Sequence, residues 1–192
     1  DADSLNDLTS AAITGSNVIG LLFLSLTRTN PDFSHAPSLA ESWQFSEDHL
    51  ELTFHLRDDV FWHDGVKTTA HDVKFTFEKQ ISPNIGWATI KWKQFIKECV
   101  VVDDYTVKFI FERLYPYQLM DAVVGAVLPK HILEKVPDEE MVSTDFNRNP
   151  VGNGPYRFKV WKAQQYIEVE ANENYFAGRP PLDRIIFKVV PD

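Results

Sequence analysis

The sequence predicts an α/β fold of mixed β-sheets with flanking helices, and three observations predict it. In residues 49–56 Leu50, Leu52, Phe54 and Leu56 alternate with polar residues, the period of two of a half-buried strand. Thr69-Ala70-His71-Asp72 reads as a helix N-cap with an acidic residue three positions on, followed by Val73 and Phe77 on one face. From Pro155 onward the chain turns β-rich, with alternation in residues 156–161 and again in 166–170.

Each element follows in order. Residues 5–26 place Leu5, Leu8, Ala12, Val18, Leu21, Leu22 and Leu26 close to helical spacing, which predicts one helix or two short ones. Thr29-Asn30-Pro31-Asp32 is a turn signal, and a short segment after Pro37 leads into a strand at 42–45. Ser46-Glu47-Asp48 separates that strand from 49–56, so the two read as a hairpin. Beyond Val60-Phe61-Trp62, the His63-Asp64-Gly65 sequence suits a tight turn because Gly tolerates positive φ. The capped helix reaches about Lys79. Between Ile96 and Phe111 two alternating runs flank Asp103-Asp104, a second hairpin or a pair of neighbouring strands. A helix is predicted over 116–124. Pro129, whose missing N–H is not needed in a first turn, opens another that ends near Lys135. A loop rich in Asp, Asn and Pro follows, and residues 184–190 form a last strand.

Composition narrows the function classes. With 192 residues, 44% apolar and 13% aromatic, the chain can bury a sizeable core. A net charge of −9, spread along the chain, argues against nucleic acid and anionic membrane surfaces as partners. The longest apolar runs, 18–26 and 122–128, fall short of the roughly 20 residues that span a bilayer. Cys99 is the single cysteine, and its neighbours Val100, Val101 and Val102 predict a buried structural thiol. The chain opens at Asp1 without a Met or a visible signal peptide, which suits processing or trimming.

Catalytic patterns are missing from the sequence. It has no Gly-x-Ser-x-Gly elbow, no His-Glu-x-x-His and no phosphate loop of the Gly-x-x-x-x-Gly-Lys type. The carboxylate pairs Asp58-Asp59, Asp103-Asp104 and Glu139-Glu140 read as solvated turns. Among the six histidines, His63 and His71 are eight apart across a turn. His131 and Glu134 share a helical face without a third donor. The expectation is neither an enzyme nor a metal or cofactor protein.

Three groups of residues carry a resemblance. The first is Leu39-Ala40-Glu41-Ser42-Trp43, then Leu52-Thr53-Phe54-His55-Leu56-Arg57, then Phe61-Trp62-His63-Asp64-Gly65 with Thr69-Ala70-His71-Asp72-Val73. The second is Val127-Leu128-Pro129-Lys130-His131-Ile132-Leu133. The third is Asn149-Pro150-Val151-Gly152-Asn153-Gly154-Pro155-Tyr156 with Asn172-Glu173-Asn174-Tyr175-Phe176. Their order and spacing resemble the family-5 extracytoplasmic solute-binding proteins, which serve importers of oligopeptides, dipeptides and nickel. His63 stands where these proteins often carry a small polar residue, and Asn153 replaces the more usual Thr of their Gly-Thr-Gly-Pro-Tyr motif.

The resemblance implies a periplasmic-binding-protein-like II fold, represented here by a partial first lobe. Residues 1–37 and 147–192 would belong to the main subdomain of that lobe and 38–146 to a smaller inserted one, with the second lobe outside this chain. It implies capture of a small extended solute, most often a short peptide, and delivery to the permease subunits of an ABC transporter. Such a protein works in the periplasm or on the extracellular face of the cytoplasmic membrane. The alternative is an extracellular sensory or docking domain that reuses the scaffold without a ligand.

Candidate contacts follow from the same two sources. Trp87, Trp92, Tyr115 and Tyr117 sit in predicted loops or at element ends, where aromatic side chains can wall a cleft or pack locally. The resemblance implies that the loop carrying Trp87 approaches the ligand. It also sets Gly125, Ala126 and Val127 near the ligand cavity, where small residues permit close backbone approach; ordinary helix termination is the competing reading. The ligand-binding candidates are therefore Trp87, Trp92, Tyr117, Gly125, Ala126 and Val127. Arg57 is expected in a strand-end ion pair, Asp72 in a helix cap, and 149–156 in a constrained corner.

Overall fold

The structure, a computed structural model, describes residues 1–190. Pro191 and Asp192, which close the second portion expected of the main subdomain, lie outside the described residues. The opening helix is shorter than predicted: α1 spans Ile13–Leu22, and the residues before it form turns. Polar side chains explain the difference. The Asp3 carboxylate accepts the N–H of Ser4 at 2.8 Å and of Ala11 at 2.7 Å, and Asn6 Oδ1 accepts the N–H of Leu8 at 3.1 Å. Such local bonds offer the backbone an alternative to a helix. Leu5 and Leu8 are buried all the same, so their spacing reports a core face and not a helix.

Two short strands, β1 (Thr27–Thr29) and β2 (His35–Pro37), pair across the predicted turn; the turn was expected and the strands were not. β3 (Ala40–Phe45) and β4 (Glu51–Leu56) form the predicted hairpin, with His49 in the turn at φ 56° and not in the strand. The burial pattern of β4 puts Leu52, Phe54 and Leu56 inward. Helix α2 (Ala70–Gln80) starts at a capping box between Thr69 and Asp72, as read from the sequence. β5 (Ile96–Asp103) and β6 (Thr106–Phe111) complete a four-stranded antiparallel sheet in the order β3–β4–β6–β5. Phe109 joins that sheet to α2, meeting Phe54 and Phe77 edge-on at 5.8 Å each. Cys99 on β5 is buried, and burial pushes its thiol up to about 12, an inert structural thiol.

Helix α3 covers Gln118–Val123, and α4 is a single turn at Lys130–Leu133, shorter than the stretch predicted to reach Lys135. The chain then runs through short turns to β7 (Tyr156–Lys162), β8 (Tyr166–Ala171) and β9 (Arg184–Lys188), a separate antiparallel sheet in that order. Among the described residues no helix is long and apolar enough to cross a membrane.

The 149–156 corner locks this last sheet to α1. Gly154 N–H donates to the Leu22 carbonyl at 2.8 Å, and a Cβ added at Gly152 would lie 1.9 Å from the same oxygen. Asn153 Oδ1 accepts the N–H of Leu24 at 2.9 Å, and its amide reaches Thr68 Oγ1 at 3.3 Å. His63 is bound to the same corner: its Nδ1 accepts the Gly152 N–H at 3.2 Å and its Nε2 donates to the Gly154 carbonyl at 3.1 Å. Both residues that depart from the familiar motif therefore act as structural polar groups here. Arg57 pairs with Asp59 at 2.8 Å and with Glu41 at 3.5 Å, the expected strand-end arrangement, and lies 4.3 Å over the Phe176 ring.

Candidate ligand-binding site

The candidate residues gather around the end of α3. There Val124 is extended (φ −65°, ψ 134°) and Gly125 follows at φ 97°, the pattern of a type II turn, which requires a residue tolerant of positive φ. A buried cation holds the turn. Lys93 Nζ donates to the carbonyls of Asp121 at 2.7 Å, Val124 at 3.1 Å and Ala122 at 3.2 Å, so its three N–H groups meet three acceptors. A cation at the C-terminal carbonyls of a helix also meets the negative end of its dipole. Burial pulls the Lys93 amine down to about 7, while Asp121, Cys99 and Asp7 act the other way.

A second anchor fixes the far side. The half-buried Asp7 carboxylate accepts the Ala126 N–H at 3.2 Å, and loss of solvent around it pushes it above the usual carboxylate range. The Asp7 carbonyl accepts the indole N–H of Trp87 at 3.1 Å. Trp87 is thus an inner wall, 5% exposed, with Lys93 Nζ 5.7 Å from its ring centre. Its edge would stand 3.1 Å from a Cβ at Gly125, and Gln80 Nε2 only 2.3 Å, which explains the absence of a side chain there. Ala126 and Val127 are buried, and the Val127 N–H is bonded to the Leu24 carbonyl at 2.9 Å. These two and Trp87 support the surface from behind and do not present side chains to an open cleft.

Two open hollows lie in front, and Trp92 and Met120 line both. One, of about 330 Å³, is walled by Trp92, Phe95, Tyr115, Tyr117, Met120 and Asp121. The other, of about 300 Å³, brings Thr27, Thr29 and His35 of the β1–β2 hairpin opposite Trp92, Met120 and Gly125. Trp92 (39% exposed), Met120 (45%) and Tyr117 (65%) form the open apolar surface. Of the six candidates, Trp92, Tyr117 and Gly125 therefore border the hollows. Sequence reasoning missed Lys93, Asp7, Met120 and Asp121. A lysine between Trp92 and Gln94 carries no local sign of burial, because its three acceptors lie 28 to 31 residues away.

Concavities with aromatic walls and a few polar groups suit reversible binding of a small extended solute. Comparison with known proteins agrees with this form. Residues 35–192 match the model of the bacterial extracellular solute-binding proteins, family 5. The chain is 35% identical over 191 residues to the oligopeptide-binding protein AppA of Bacillus subtilis, covering 97% of this chain and 35% of that one. It is 34% identical to heme-binding protein A of Haemophilus influenzae, covering 81% and 32%. The solved structure of AppA with a nonapeptide superposes with a TM-score of 0.89 at 35% identity, over 97% of this chain and 38% of that one. That of NikZ from Campylobacter jejuni with Ni(L-His) superposes at 0.82 and 39% identity, over 90% and 34%. The chain spans about a third of the length of the curated relatives it matches. By the matched model, by these identities and by its fold, it belongs to family 5 of the bacterial extracellular solute-binding proteins.

Proposed function

We propose that this chain is part of the first lobe of an extracytoplasmic receptor that captures a small extended solute, short peptides foremost, and passes it to the permease of an ABC importer. The observation that carries this reading is the pair of hollows meeting at Trp92 and Met120. They offer open aromatic area backed by a turn fixed from both sides by Lys93 and Asp7. Relatives named for oligopeptides, heme and a nickel–histidine complex support capture without chemistry.

The division into a main subdomain (1–37 and 147–192) and a smaller one (38–146) belongs to the same proposal. It is supported by the bonds of Leu5 and Asn6 to Asn147 and of Leu22 to Gly154, and by the four-stranded sheet lying wholly within the middle segment. In this mechanism a second lobe closes over the hollows, and the ligand favours the closed form only through its extra contacts with both lobes.

The test is a thermal-shift titration of the intact protein with di- to pentapeptides, with sugars and nickel chelates in parallel. A ligand that binds the folded state alone raises the midpoint by mass action. A peptide-dependent rise supports the reading. A flat response across all three classes overturns capture and leaves a ligand-free docking domain in its place.

A further inference from the structure

The larger of the two hollows has a chemistry of its own. Four aromatic residues, Trp92, Phe95, Tyr115 and Tyr117, wall it together with the thioether of Met120. Aromatic faces attract cations, and one ring already holds one: the Arg113 guanidinium lies 3.8 Å from the centre of Phe95. Two side-chain oxygens, of Tyr115 and Asp121, stand beside one another in the wall. The Tyr115 hydroxyl is buried with no hydrogen-bond partner among the described residues. The Asp121 carboxylate makes no close ion pair among them; burial pushes it above the usual carboxylate range, outweighing the neighbouring Tyr115 hydroxyl and Lys93, which both act to lower it. Buried polar atoms in native proteins are satisfied almost without exception; the hydroxyl and the carboxylate can serve one another, and the carboxylate then keeps lone pairs open to a further donor.

We propose that this hollow is a subsite for a cationic group on the bound solute, such as a lysine or arginine side chain, held against the rings of Trp92 and Tyr117 and by the oxygens of Tyr115 and Asp121. An ammonium or guanidinium supplies N–H groups to both oxygens, which a neutral apolar side chain of the same shape cannot. Lys93 does not fill this role, because its ammonium is spent on three backbone carbonyls behind the wall. The other cations beside the hollow are Lys91, which is solvent-exposed, and Arg113, which covers one face of Phe95. The inference rests on the capture reading above for the origin of the ligand.

The experiment uses the intact protein and two matched probe pairs. Tripeptides Ala-X-Ala, with X lysine or its apolar isostere norleucine, are compared by calorimetry. n-Butylammonium and 1-butanol are compared by the indole N–H resonance of Trp92. The lysine peptide is expected to bind at least ~10-fold tighter than the norleucine peptide, and Asp121→Asn, which keeps the backbone carbonyl that Lys93 uses, reduces that ratio below about 3-fold. Butylammonium shifts the Trp92 resonance in the wild type and butanol does not. Equal or tighter binding of norleucine, or a ratio unchanged in Asp121→Asn, overturns the proposal. If neither peptide binds, peptide capture is what fails, and the butylammonium arm alone decides the subsite: a silent Trp92 resonance overturns it.

Discussion

One carboxylate oxygen of Asp72 accepts the backbone N–H of Lys130 at 2.9 Å, 58 residues along the chain, while the other accepts the N–H of Thr69 at 2.9 Å. A helix cap thereby becomes a joint between α2 and the turn at Pro129, and the Trp62 indole N–H approaches the same side chain at 3.4 Å. Asp72→Ala removes the cap and leaves a partly buried N–H at Lys130 without a partner. The expected loss is about 3 kcal/mol, a fall in Tm of roughly 6 to 12 °C by thermal denaturation. Asp72→Asn retains one acceptor oxygen and is expected to lose about half as much.

Gly152 and Gly20 are expected to respond to alanine in opposite directions. At Gly152 the new Cβ would stand 1.9 Å from the Leu22 carbonyl oxygen, which is backbone and cannot swing aside, so Gly152→Ala should cost ~3 kcal/mol or more. Gly20 lies in α1 with nothing within 4 Å of its added Cβ, and Ala is the better helix former by up to about 1 kcal/mol. Urea unfolding of the two variants checks both signs, and a tolerated Gly152→Ala would contradict the close approach described for that corner.

The buried imidazole of His63 gives stability a pH dependence. Burial pulls its pKa from 6.5 down to about 4, so between those values the unfolded chain binds more protons than the folded one. The contribution is present in full above pH 6.5 and is lost as pH falls toward 4, by about 2 to 3 kcal/mol after allowance for partial exposure. His63→Asn, which keeps an acceptor for the Gly152 N–H and does not titrate, should flatten that part of the curve relative to the wild type. Chemical denaturation at half-unit pH steps measures the difference.

Lys93→Met removes the cation that holds the last carbonyls of α3. About 2 to 3 kcal/mol of stability should go with it. The loss is expected first at the turn: the Val124 amide, bonded to the Met120 carbonyl, should exchange with deuterium faster while amides of β6 keep their protection. Uniform acceleration across the chain would show that Lys93 serves global packing and not this turn.

Much of the fold was legible because its signals are local. The Thr69–Asp72 capping box, the alternation of β4 and the strands of the last sheet each lie within a dozen residues, and each formed where it was read. Residues 5–12 misled because Leu5 and Leu8 are core residues at helical spacing whose backbone is claimed by Asp3 and Asn6. The open surface of the candidate site was half legible. Trp92 and Tyr117 stand open, as an aromatic at an element end can, but nothing near Trp87 in sequence tells that its indole will bond to Asp7, 80 residues upstream. Long-range polar contacts such as Lys93 to Val124 leave no periodic trace.

The bonds that tie the amino-terminal residues to the far end of the chain set an order of events in folding. Leu5 and Asn6 depend on Asn147, Leu22 on Gly154 and Asp1 on Trp161, whereas the β3–β4 and β5–β6 hairpins close over a few residues each. Loop-closure entropy makes the short loops close first and the long ones last. On a ribosome residues 1–24 emerge with their apolar face ready and wait for more than a hundred residues before their partners exist. The earlier segment is secured after the later hairpins, and through that interval Leu5, Leu8, Val18 and Leu22 remain uncovered by the corner that finally encloses them.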